Sequence, residues 1–308
     1  MRLGCPARLY GLPAEPTLQG APDPPADALG TELAFLRDAL RYLAAQRITM
    51  FRLNGSLVDA LATAWAAGHG DGQRATLDAL GQEVHAAGLR LSFHAHSGVA
   101  LSTPNDEQAF LSIGWVTLAA AVFDALDLSP EAAIVVHTGG AYGDAPAALQ
   151  RFARRYEALP TTVRGRLVLE NDGRRYSHAD VARVHEACGI PLVFDVLHHR
   201  VHNPEGVPMR EALERSLASW PSGVTPKVHF CTPRSEARGL GTVTRLKVPT
   251  WTEHGDFANP FEFAEFVALG DGMRPCDVML ESKAHDLALL KLRDDLARYA
   301  PAVAAALS

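Results

Sequence analysis

The sequence predicts a single-domain (β/α)8 barrel covering residues 1–308, and three observations indicate this fold. Eight short apolar segments read as strands, and helical segments alternate with them. This alternation is typical of a parallel sheet. Eight such units in 308 residues match the size of a closed barrel. The chain also lacks the G-x-G-x-x-G and G-x-x-x-x-G-K-[ST] motifs, which would support the alternative of a doubly wound, nucleotide-binding sheet.

The order of elements follows from apolar runs and helix boundaries. The predicted strands cover residues 2–5, 48–53, 90–94, 132–137, 166–169, 191–195, 225–230 and 276–281. The predicted helices cover residues 30–45, 73–87, 105–126, 145–158, 177–189, 208–219, 260–269 and 284–307. Asn105 or Asp106 can cap the third helix, and Ser177 with Asp180 resembles a capping box at the fifth. Residues 11–28 and 231–258 are predicted to be irregular.

Composition narrows the class of protein. A hydrophobic content of 47% and a charged content of 21% are ordinary for a soluble globular enzyme. No apolar run approaches the roughly 18 residues of a membrane span, and the N-terminus lacks the features of a signal peptide. The four cysteines are scattered and form no C-x-x-C pair, which indicates reduced thiols. We therefore expect a cytoplasmic protein with no membrane association and no obligate protein partner.

The net charge of −6 argues against a surface covered with basic residues for nucleic acid. It does not exclude nucleic-acid binding at one face, because bound divalent cations and a local group of arginines can reverse the sign of a pocket.

Side chains that bind metals stand at, or just after, the ends of six successive predicted strands. They are His94, His137, Glu170, Asp195, His198, His229, His254 and Glu281. Because the carboxyl ends of barrel strands converge on one mouth, we expect these side chains to meet. Imidazole and carboxylate ligands without thiols suit Zn²⁺ or Mn²⁺. Eight ligands exceed the needs of one cation, whereas three cations sharing carboxylates would use them all.

Each of these residues also has an ordinary structural interpretation. A single histidine at a strand end is more often a hydrogen-bonded core or surface residue, and Glu170 alone would fit an ion pair equally well. Their joint occurrence favours the metal site. Asp172 lies two residues beyond Glu170 and is an alternative ligand. The remaining histidines are interpreted as surface residues or as supports of the ligands: His96, His178, His185, His199, His202 and His285.

Clustered divalent cations suit phosphodiester hydrolysis, because they activate water and neutralise the phosphate and the leaving alkoxide. Lys227 lies two residues before His229, so the two side chains should share one face of a strand. A lysine inside a barrel is costly unless it is paired or modified. A salt bridge to Asp195 or Glu281 is the simple expectation.

Seven segments, in this order, resemble the ultraviolet-damage endonucleases, which are relatives of endonuclease IV. They are Leu91-Ser-Phe-His94, His137-Thr-Gly-Gly-Ala-Tyr-Gly143, Leu169-Glu-Asn-Asp172, Asp195-Val-Leu-His-His199, Pro226-Lys-Val-His229, His254-Gly-Asp-Phe257 and Val278-Met-Leu-Glu-Ser-Lys283. The resemblance implies a barrel with three divalent ions, usually Mn²⁺, with Zn²⁺ or Co²⁺ as alternatives. It also implies incision of duplex DNA immediately 5′ to ultraviolet photoproducts, leaving a 3′-hydroxyl and a 5′-phosphate.

The resemblance also assigns roles to individual residues, with Glu170, Lys227 and His229 as the catalytic set. It implies one metal held by His94, His137 and Glu170. Glu170 would bridge to a second metal held by Asp195, His229 and Glu281, and His198 and His254 would hold a third. Lys227 corresponds to a lysine that can be carboxylated in this family.

The lesion-probing residues of the family are not matched here. The family usually carries a Gln-Tyr pair after the histidine of the third strand, where this chain has Ser97-Gly98, and the tyrosine that often follows Arg-Leu-Gly is Cys5. Glycine cannot stack on a base, so His96 or Tyr142 is expected to take part of this role. Arginines in or near βα loops are candidates for phosphate contacts. They are Arg52, Arg174, Arg175, Arg200, Arg234 and Arg238.

Two other functions remain open on the sequence. The main alternative is a metal-dependent sugar isomerase or epimerase, since such enzymes also gather Glu, Asp and His at strand ends of this barrel. Their sites usually hold one or two metals with mostly carboxylates, whereas five histidines stand here, which favours the nuclease. A DNA-damage-binding module without turnover would be expected to lack a ligand, and none is missing.

Overall fold

The computed structural model describes residues 1–12, 28–68, 73–239 and 246–307. The strands are β1 (Leu3–Cys5), β2 (Met50–Arg52), β3 (Arg90–His94), β4 (Ala133–His137), β5 (Leu167–Glu170), β6 (Leu192–Asp195), β7 (Lys227–Phe230), β8 (Arg238–Gly239), β9 (Leu246–Lys247) and β10 (Asp277–Leu280). All except β8 and β9 form a closed parallel barrel in the order β1-β10-β7-β6-β5-β4-β3-β2. The predicted (β/α)8 fold is confirmed.

Helices connect the strands around the outside of the barrel. They are α1 (Ala28–Ala45), α2 (Ser56–Ala66), α3 (Arg74–Ala86), α4 (Asp106–Ala125), α5 (Ala145–Ala158), α6 (Thr161–Arg164), α7 (His178–Cys188), α8 (Val196–Val201), α9 (Met209–Ala218), α10 (Pro260–Leu269), α11 (His285–Tyr299) and α12 (Pro301–Ala305). The predicted starts of α4 and α7 are confirmed. The Asn105 side chain accepts a hydrogen bond from the Gln108 amide, and Ser177 and Asp180 form a reciprocal capping box.

Several local predictions of secondary structure are wrong, and one falls largely outside the described residues. The single helix predicted over 284–307 is two helices, because Pro301 opens a new helix and cannot continue the hydrogen-bond ladder of α11. The sequence reading missed α2, α6 and α8. The segment 231–258 contains the short antiparallel pair β8 and β9. Most of the loop predicted over 11–28 lies outside the described residues.

Among the residues that the structure describes, one helix, α4, is long and apolar enough to cross a membrane by length and composition. In the fold it packs against α2, α3 and α6 in the outer layer of the barrel, and Trp115 and Phe123 are buried on its inner face. Its apolar content is therefore that of a helix that covers a sheet.

The amino-terminal end of the barrel is closed by a buried ion-pair network. Arg90 donates to Asp277 across 2.8 Å, and Arg2 reaches both Asp277 at 3.0 Å and Glu131 at 2.9 Å. The Arg90 and Asp277 side chains are almost fully buried. Charges at this end of the barrel act on stability, since the functional face of such barrels is the opposite one.

Candidate metal centre

The strand register brings the predicted ligands to one level at the carboxyl end of the barrel. His137 at the end of β4 is paired with Glu170 at the end of β5, and Asp195 on β6 is paired with His229 on β7. Glu281 directly follows β10. Residues separated by more than a hundred positions in the chain therefore face one another across the mouth.

Glu170 lies at the centre of this group and is 1% exposed. Its Oε2 lies 2.8 Å from His94 Nε2 and 3.5 Å from His137 Nε2. Its Oε1 lies 2.8 Å from His229 Nδ1. Each carboxylate oxygen thus lies close to at least one imidazole nitrogen, so each could contact a different cation.

Donor atoms within 4.8 Å of one another form overlapping sets that could hold a metal ion. One set is His94, His137 and Glu170. A second contains Glu170, Asp195, His229 and Glu281, and a third contains His94, His229 and Glu281. Glu170 is shared by the first two sets, as the sequence-based assignment of two neighbouring metals requires.

His198 and His254 lie beside these three sets but belong to none of them. Their ring centroids are 5.9 Å apart. His198 Nδ1 is 3.6 Å from Glu170 Oε1, and His254 Nδ1 is 3.8 Å from Glu281 Oε2. The structure therefore brings all eight predicted ligands to one mouth, and the third metal position remains a prediction.

Backbone carbonyls orient three of the imidazoles. Nδ1 of His94, His198 and His254 donates a hydrogen bond to the carbonyl of Ala95, Asn171 and Glu281 at 3.0, 2.9 and 3.0 Å, respectively. A ring that donates through Nδ1 presents the lone pair of Nε2, and metal-binding histidines are commonly oriented in this way. The donor set of this mouth therefore fits divalent cations.

Buried polar atoms without partners support the same fit. Among the described residues, Asp195 Oδ2, His137 Nδ1 and His229 Nε2 are buried and have no hydrogen-bond partner. Leaving such atoms unsatisfied costs about 1–3 kcal/mol each. A cation among the carboxylates would satisfy the Asp195 oxygen.

Burial and mutual repulsion shift the pKa values of the acids in different directions. Burial raises the pKa of the Glu170 carboxyl, but the imidazoles of His229 and His137 outweigh it and hold this pKa well below its ordinary value. The pKa of Asp195 rises well above its ordinary value because burial and the neighbouring Glu170 and Glu281 disfavour its charge. Burial lowers the pKa of His229 to about 4. Burial opposes protonation of His198, but the nearby Asp195 and Glu170 carboxylates outweigh it and raise the pKa of His198 to about 9.

Lys227 lies beneath the metal sets and is fully buried. Its Nζ donates to Ser92 Oγ at 3.1 Å. Burial lowers its pKa well below the ordinary value, and the nearby Arg52 and Arg90 lower it further. Within the described part of the chain it forms no salt bridge, so the expected pairing with Asp195 or Glu281 is wrong.

A cavity of about 550 Å³ opens above the centre, and residues from β1, β2, β3 and β10 and the loops after them line much of it. Arg52 lines this cavity, but its guanidinium is bound to Glu281 and its side chain is only 15% exposed. Its contact therefore positions a metal-facing carboxylate, rather than leaving the arginine free for a phosphate. Arg200 is likewise bound to Glu262.

The remaining predicted DNA contacts lie at the rim. Ser97 and Gly98 are exposed in the connection from β3 to α4. Tyr142 is 47% exposed, lies beside the Arg151 guanidinium, and adopts a left-handed backbone conformation with φ +52°. That conformation is uncommon for a residue with a side chain, and such strain concentrates at functional sites.

Three sequence interpretations are corrected here. Asp172 accepts the backbone N–H groups of Arg174, Arg175 and Tyr176, so it organises a loop and is not part of the donor sets. His178 and His199 are buried and lie near each other beside Phe194, so they are core residues rather than surface residues.

Asn171 is a supporting residue that the sequence analysis did not single out. It is fully buried, donates through Nδ2 to the Asp195 carbonyl at 3.1 Å, and accepts from the Asp195 amide at 2.9 Å. It thereby fixes the end of β6 relative to β5. Its place in the run Leu169-Glu-Asn-Asp172 was the available signal.

The fold and the mouth together define a (β/α)8 barrel protein with a candidate multinuclear metal centre. A family model described as "UV-endonuclease UvdE" matches residues 29–306, and the chain belongs to this family.

Individual relatives agree with the family assignment. The chain is 32% identical over 219 residues to the "UV DNA damage endonuclease" of Bacillus pumilus (strain SAFR-032), a match that covers 70% of this chain and 65% of that protein, just under two thirds of its length. It is 27% identical over 266 residues to the protein of the same name from Bacillus thuringiensis subsp. konkukian (strain 97-27), covering 83% and 78%, respectively.

Solved structures support the fold. "Crystal Structure of SacUVDE" matches with a TM-score of 0.77 and 23% identity, covering 97% of this chain and 98% of that one. A D-tagatose 3-epimerase-like protein matches with a TM-score of 0.60 and 14% identity, covering 98% of each chain.

Proposed function

We propose that this protein is a metal-dependent DNA-repair endonuclease that acts on double-stranded DNA damaged by ultraviolet light. It hydrolyses the phosphodiester bond immediately 5′ to a photoproduct, leaving a 3′-hydroxyl and a 5′-phosphate, and we extend the proposal to abasic sites. The observation that carries it is the position of Glu170 between imidazoles from three other strands. Membership of the UV-endonuclease family supports this chemistry over others. We place the activity in the cytoplasm, without an obligate protein partner.

The proposed cofactor is a set of three divalent ions, with Mn²⁺ preferred and Zn²⁺ or Co²⁺ as alternatives. His94, His137 and Glu170 would hold the first, and Glu170, Asp195, His229 and Glu281 the second. The third would lie between His198 and His254. When bound, such ions supply positive charge to the phosphate and lower the pKa of a water nucleophile.

Contacts among the protein's own side chains hold the candidate ligands in position. Glu170 and His229 lie at hydrogen-bond distance in a fully buried position, so their geometry is fixed before substrate binds. Arg52 holds Glu281 at the edge of the cavity. Asn171 holds the backbone of Asp195 through both of its amide atoms.

We also propose that Lys227 is carboxylated on Nζ. The motivation is its full burial beside Ser92, with a pKa shifted toward the neutral amine that can accept CO₂. A carbamate would add negative charge beneath the metal sets. An intact-mass spectrum of gently prepared protein that lacks a CO₂ adduct, together with a plain amine in electron density, would refute this part.

Recognition of the lesion is proposed to involve Tyr142 and the Ser97-Gly98 segment. Opening a damaged step costs less than opening intact DNA, so a modest stacking residue can suffice. Tyr142→Ala is expected to lose discrimination between irradiated and intact duplex in a binding assay. Discrimination equal to that of the unaltered protein would exclude this role.

The sugar isomerase or epimerase alternative has weaker support. The D-tagatose 3-epimerase-like protein shares the fold at 14% identity, and barrels of this fold serve many chemistries. The five imidazoles of this mouth, rather than mostly carboxylates, favour the nuclease.

The test uses defined duplex oligonucleotides that carry a cyclobutane dimer, a 6-4 photoproduct or an abasic site, with Mn²⁺ present. We expect one incision immediately 5′ to each lesion, and none with Glu170→Gln, which keeps the side-chain shape but removes the charge. Glu265→Gln, a carboxylate-to-amide change at an exposed position of α10, is the matched control and should incise normally. Aldose–ketose isomerisation without incision would transfer support to the alternative.

A further inference from the structure

The described basic side chains around the mouth include two classes with different partners. Arg52, Arg200 and Arg234 are each bound to a carboxylate. Four others follow barrel strands, are exposed, and form no ion pair within the described residues. They are Arg8, Arg174, Arg175 and Lys283. These four exposed side chains can bind an external anion without first breaking an internal ion pair.

The pair Arg174 and Arg175 is held in place by the loop that follows β5. Asp172 Oδ1 accepts the backbone N–H of Arg174 at 2.8 Å and of Arg175 at 2.6 Å. Gly173 packs so closely on His198 that an added Cβ would lie 3.3 Å from the ring. The loop is thereby fixed against a candidate metal ligand while both guanidinium groups remain in solvent.

Arg8 and Lys283 form a second pair, which lines the cavity above the centre. Lys283 lies two residues beyond Glu281, and its backbone N–H donates to the Gly255 carbonyl at 2.9 Å. Asp286 accepts the backbone N–H groups of Tyr10 and Gly11 at 2.8 and 2.9 Å, which fixes the segment that follows Arg8. Both pairs are therefore mounted on loops with defined anchors.

The two pairs lie on opposite sides of the mouth. In the barrel order, β5 is four strands from β1 in either direction, and β10 is the neighbour of β1. Eight strands spaced at about 4.8 Å and tilted by about 36° enclose a barrel roughly 15 Å across. That distance corresponds to about four or five base-pair steps of 3.4 Å along a duplex.

We propose that duplex DNA crosses the mouth along the diameter that joins these pairs, with Arg174 and Arg175 binding backbone phosphates on one side of the scissile bond and Arg8 with Lys283 binding phosphates on the other. This inference rests on the proposed function. A chain of net charge −6 needs local cations to attract a polyanion, and these four supply them on either side of the acidic centre.

The first test is the salt dependence of binding to a lesion-bearing duplex, measured in a Glu170→Gln background so that the DNA stays intact. Two double substitutions are compared, Arg174→Ala/Arg175→Ala and Arg8→Ala/Lys283→Ala. Each should reduce the slope of the logarithm of the association constant against the logarithm of the salt concentration by about 1.8, because each removes two phosphate contacts. Arg174→Lys/Arg175→Lys should retain most of the slope.

Arg154→Ala/Arg298→Ala is the matched control, since it removes two exposed charges from the outer helices α5 and α11. It should leave the slope unchanged. Circular dichroism of every variant checks that the fold is kept. Slopes equal to the background for both mouth variants would overturn the inference.

Hydroxyl-radical footprinting tests the direction of the duplex. Loss of the first pair should remove protection on one side of the lesion, and loss of the second pair on the other side. Loss on the same side in both variants would overturn the proposed axis. Incision by the unaltered protein is measured in parallel. Normal incision, together with unchanged salt-dependence slopes in both mouth variants, would refute only the proposed axis. Absence of both binding and incision would refute the proposed function and the axis together.

Discussion

Replacing Glu170 with glutamine should uncouple the protein from divalent cations while leaving it folded. The carboxylate belongs to two of the donor sets, so one substitution weakens both. Glutamine has nearly the same shape and can still lie close to His94 and His229, whose nitrogens are 2.8 Å from the carboxylate oxygens. What it removes is the negative charge between the two positions.

The size of the effect follows from linkage. A ligand that binds only the folded state at 100 times its Kd stabilises that state by about 2.7 kcal/mol. At about 2.1 cal/mol/K for each residue, the 308 residues give an unfolding entropy of about 0.65 kcal/mol/K. Saturating one site should therefore raise Tm by about 4 °C, and saturating a second site that shares Glu170 should raise it further.

The assay is a thermal unfolding series in increasing Mn²⁺, after chelation and dialysis. The Tm of the unaltered protein should rise with Mn²⁺ as calculated, whereas the Tm of Glu170→Gln should rise by less than about 1 °C at the same Mn²⁺ concentrations. The control Glu265→Gln should retain the full rise in Tm. An equal Mn²⁺-dependent shift in the Glu170 variant would show that this carboxylate does not bridge two cations and would refute the reasoning.

Three further predictions concern parts of the fold with different roles. Asp277→Asn should destabilise the protein by about 3–5 kcal/mol in chemical denaturation, because it leaves the buried Arg90 guanidinium without its counter-charge; a loss below about 1 kcal/mol would contradict this. Burial, reinforced by His199, lowers the pKa of His178 from 6.5 to about 4. As the pH falls, the unfolded chain therefore takes up this proton before the folded chain does. The free energy of unfolding should decrease by up to roughly 3 kcal/mol between about pH 6.5 and pH 4. His178→Gln should flatten that part of the stability–pH curve, and an unchanged slope would refute the assignment. Lys227→Met, an apolar replacement of similar length, should fold normally but lose incision activity, and full activity would exclude a catalytic role for the amine or its carbamate.

The sequence was sufficient to predict the barrel and the meeting of the candidate ligands at its mouth, because both depend on strict patterns. Apolar runs that end in His, Glu or Asp mark the ends of β3, β4, β5 and β6, and barrel closure then brings those ends together. His94, which follows Leu91-Ser-Phe, and Glu281, which follows Val278-Met-Leu, are placed by this rule alone.

The sequence could not reveal how charged groups are paired. Arg52 reads as a free phosphate contact, yet it is bound to Glu281, a residue 229 positions away. Lys227 reads as half of a salt bridge, yet its partner is the Ser92 hydroxyl on another strand. Such partners depend on side-chain directions across the sheet, which no local pattern encodes.

The sequence also did not reveal where helices are interrupted or where a short helix begins. The helix predicted over 284–307 is divided at Pro301, and the short helix α8 begins immediately after Asp195. In α8 the Asp195 side chain caps the first turn by accepting the His198 amide at 2.7 Å. A six-residue helix capped by a candidate metal ligand is too short for its hydrophobic periodicity to be recognised.

Anomalous diffraction from crystals loaded with Mn²⁺ tests the central claim most directly. The account predicts one peak among His94, His137 and Glu170, and a second among Glu170, Asp195, His229 and Glu281, with the third expected between His198 and His254. Absence of peaks at the first two positions under saturating Mn²⁺, or peaks confined to other parts of the molecule, would contradict it.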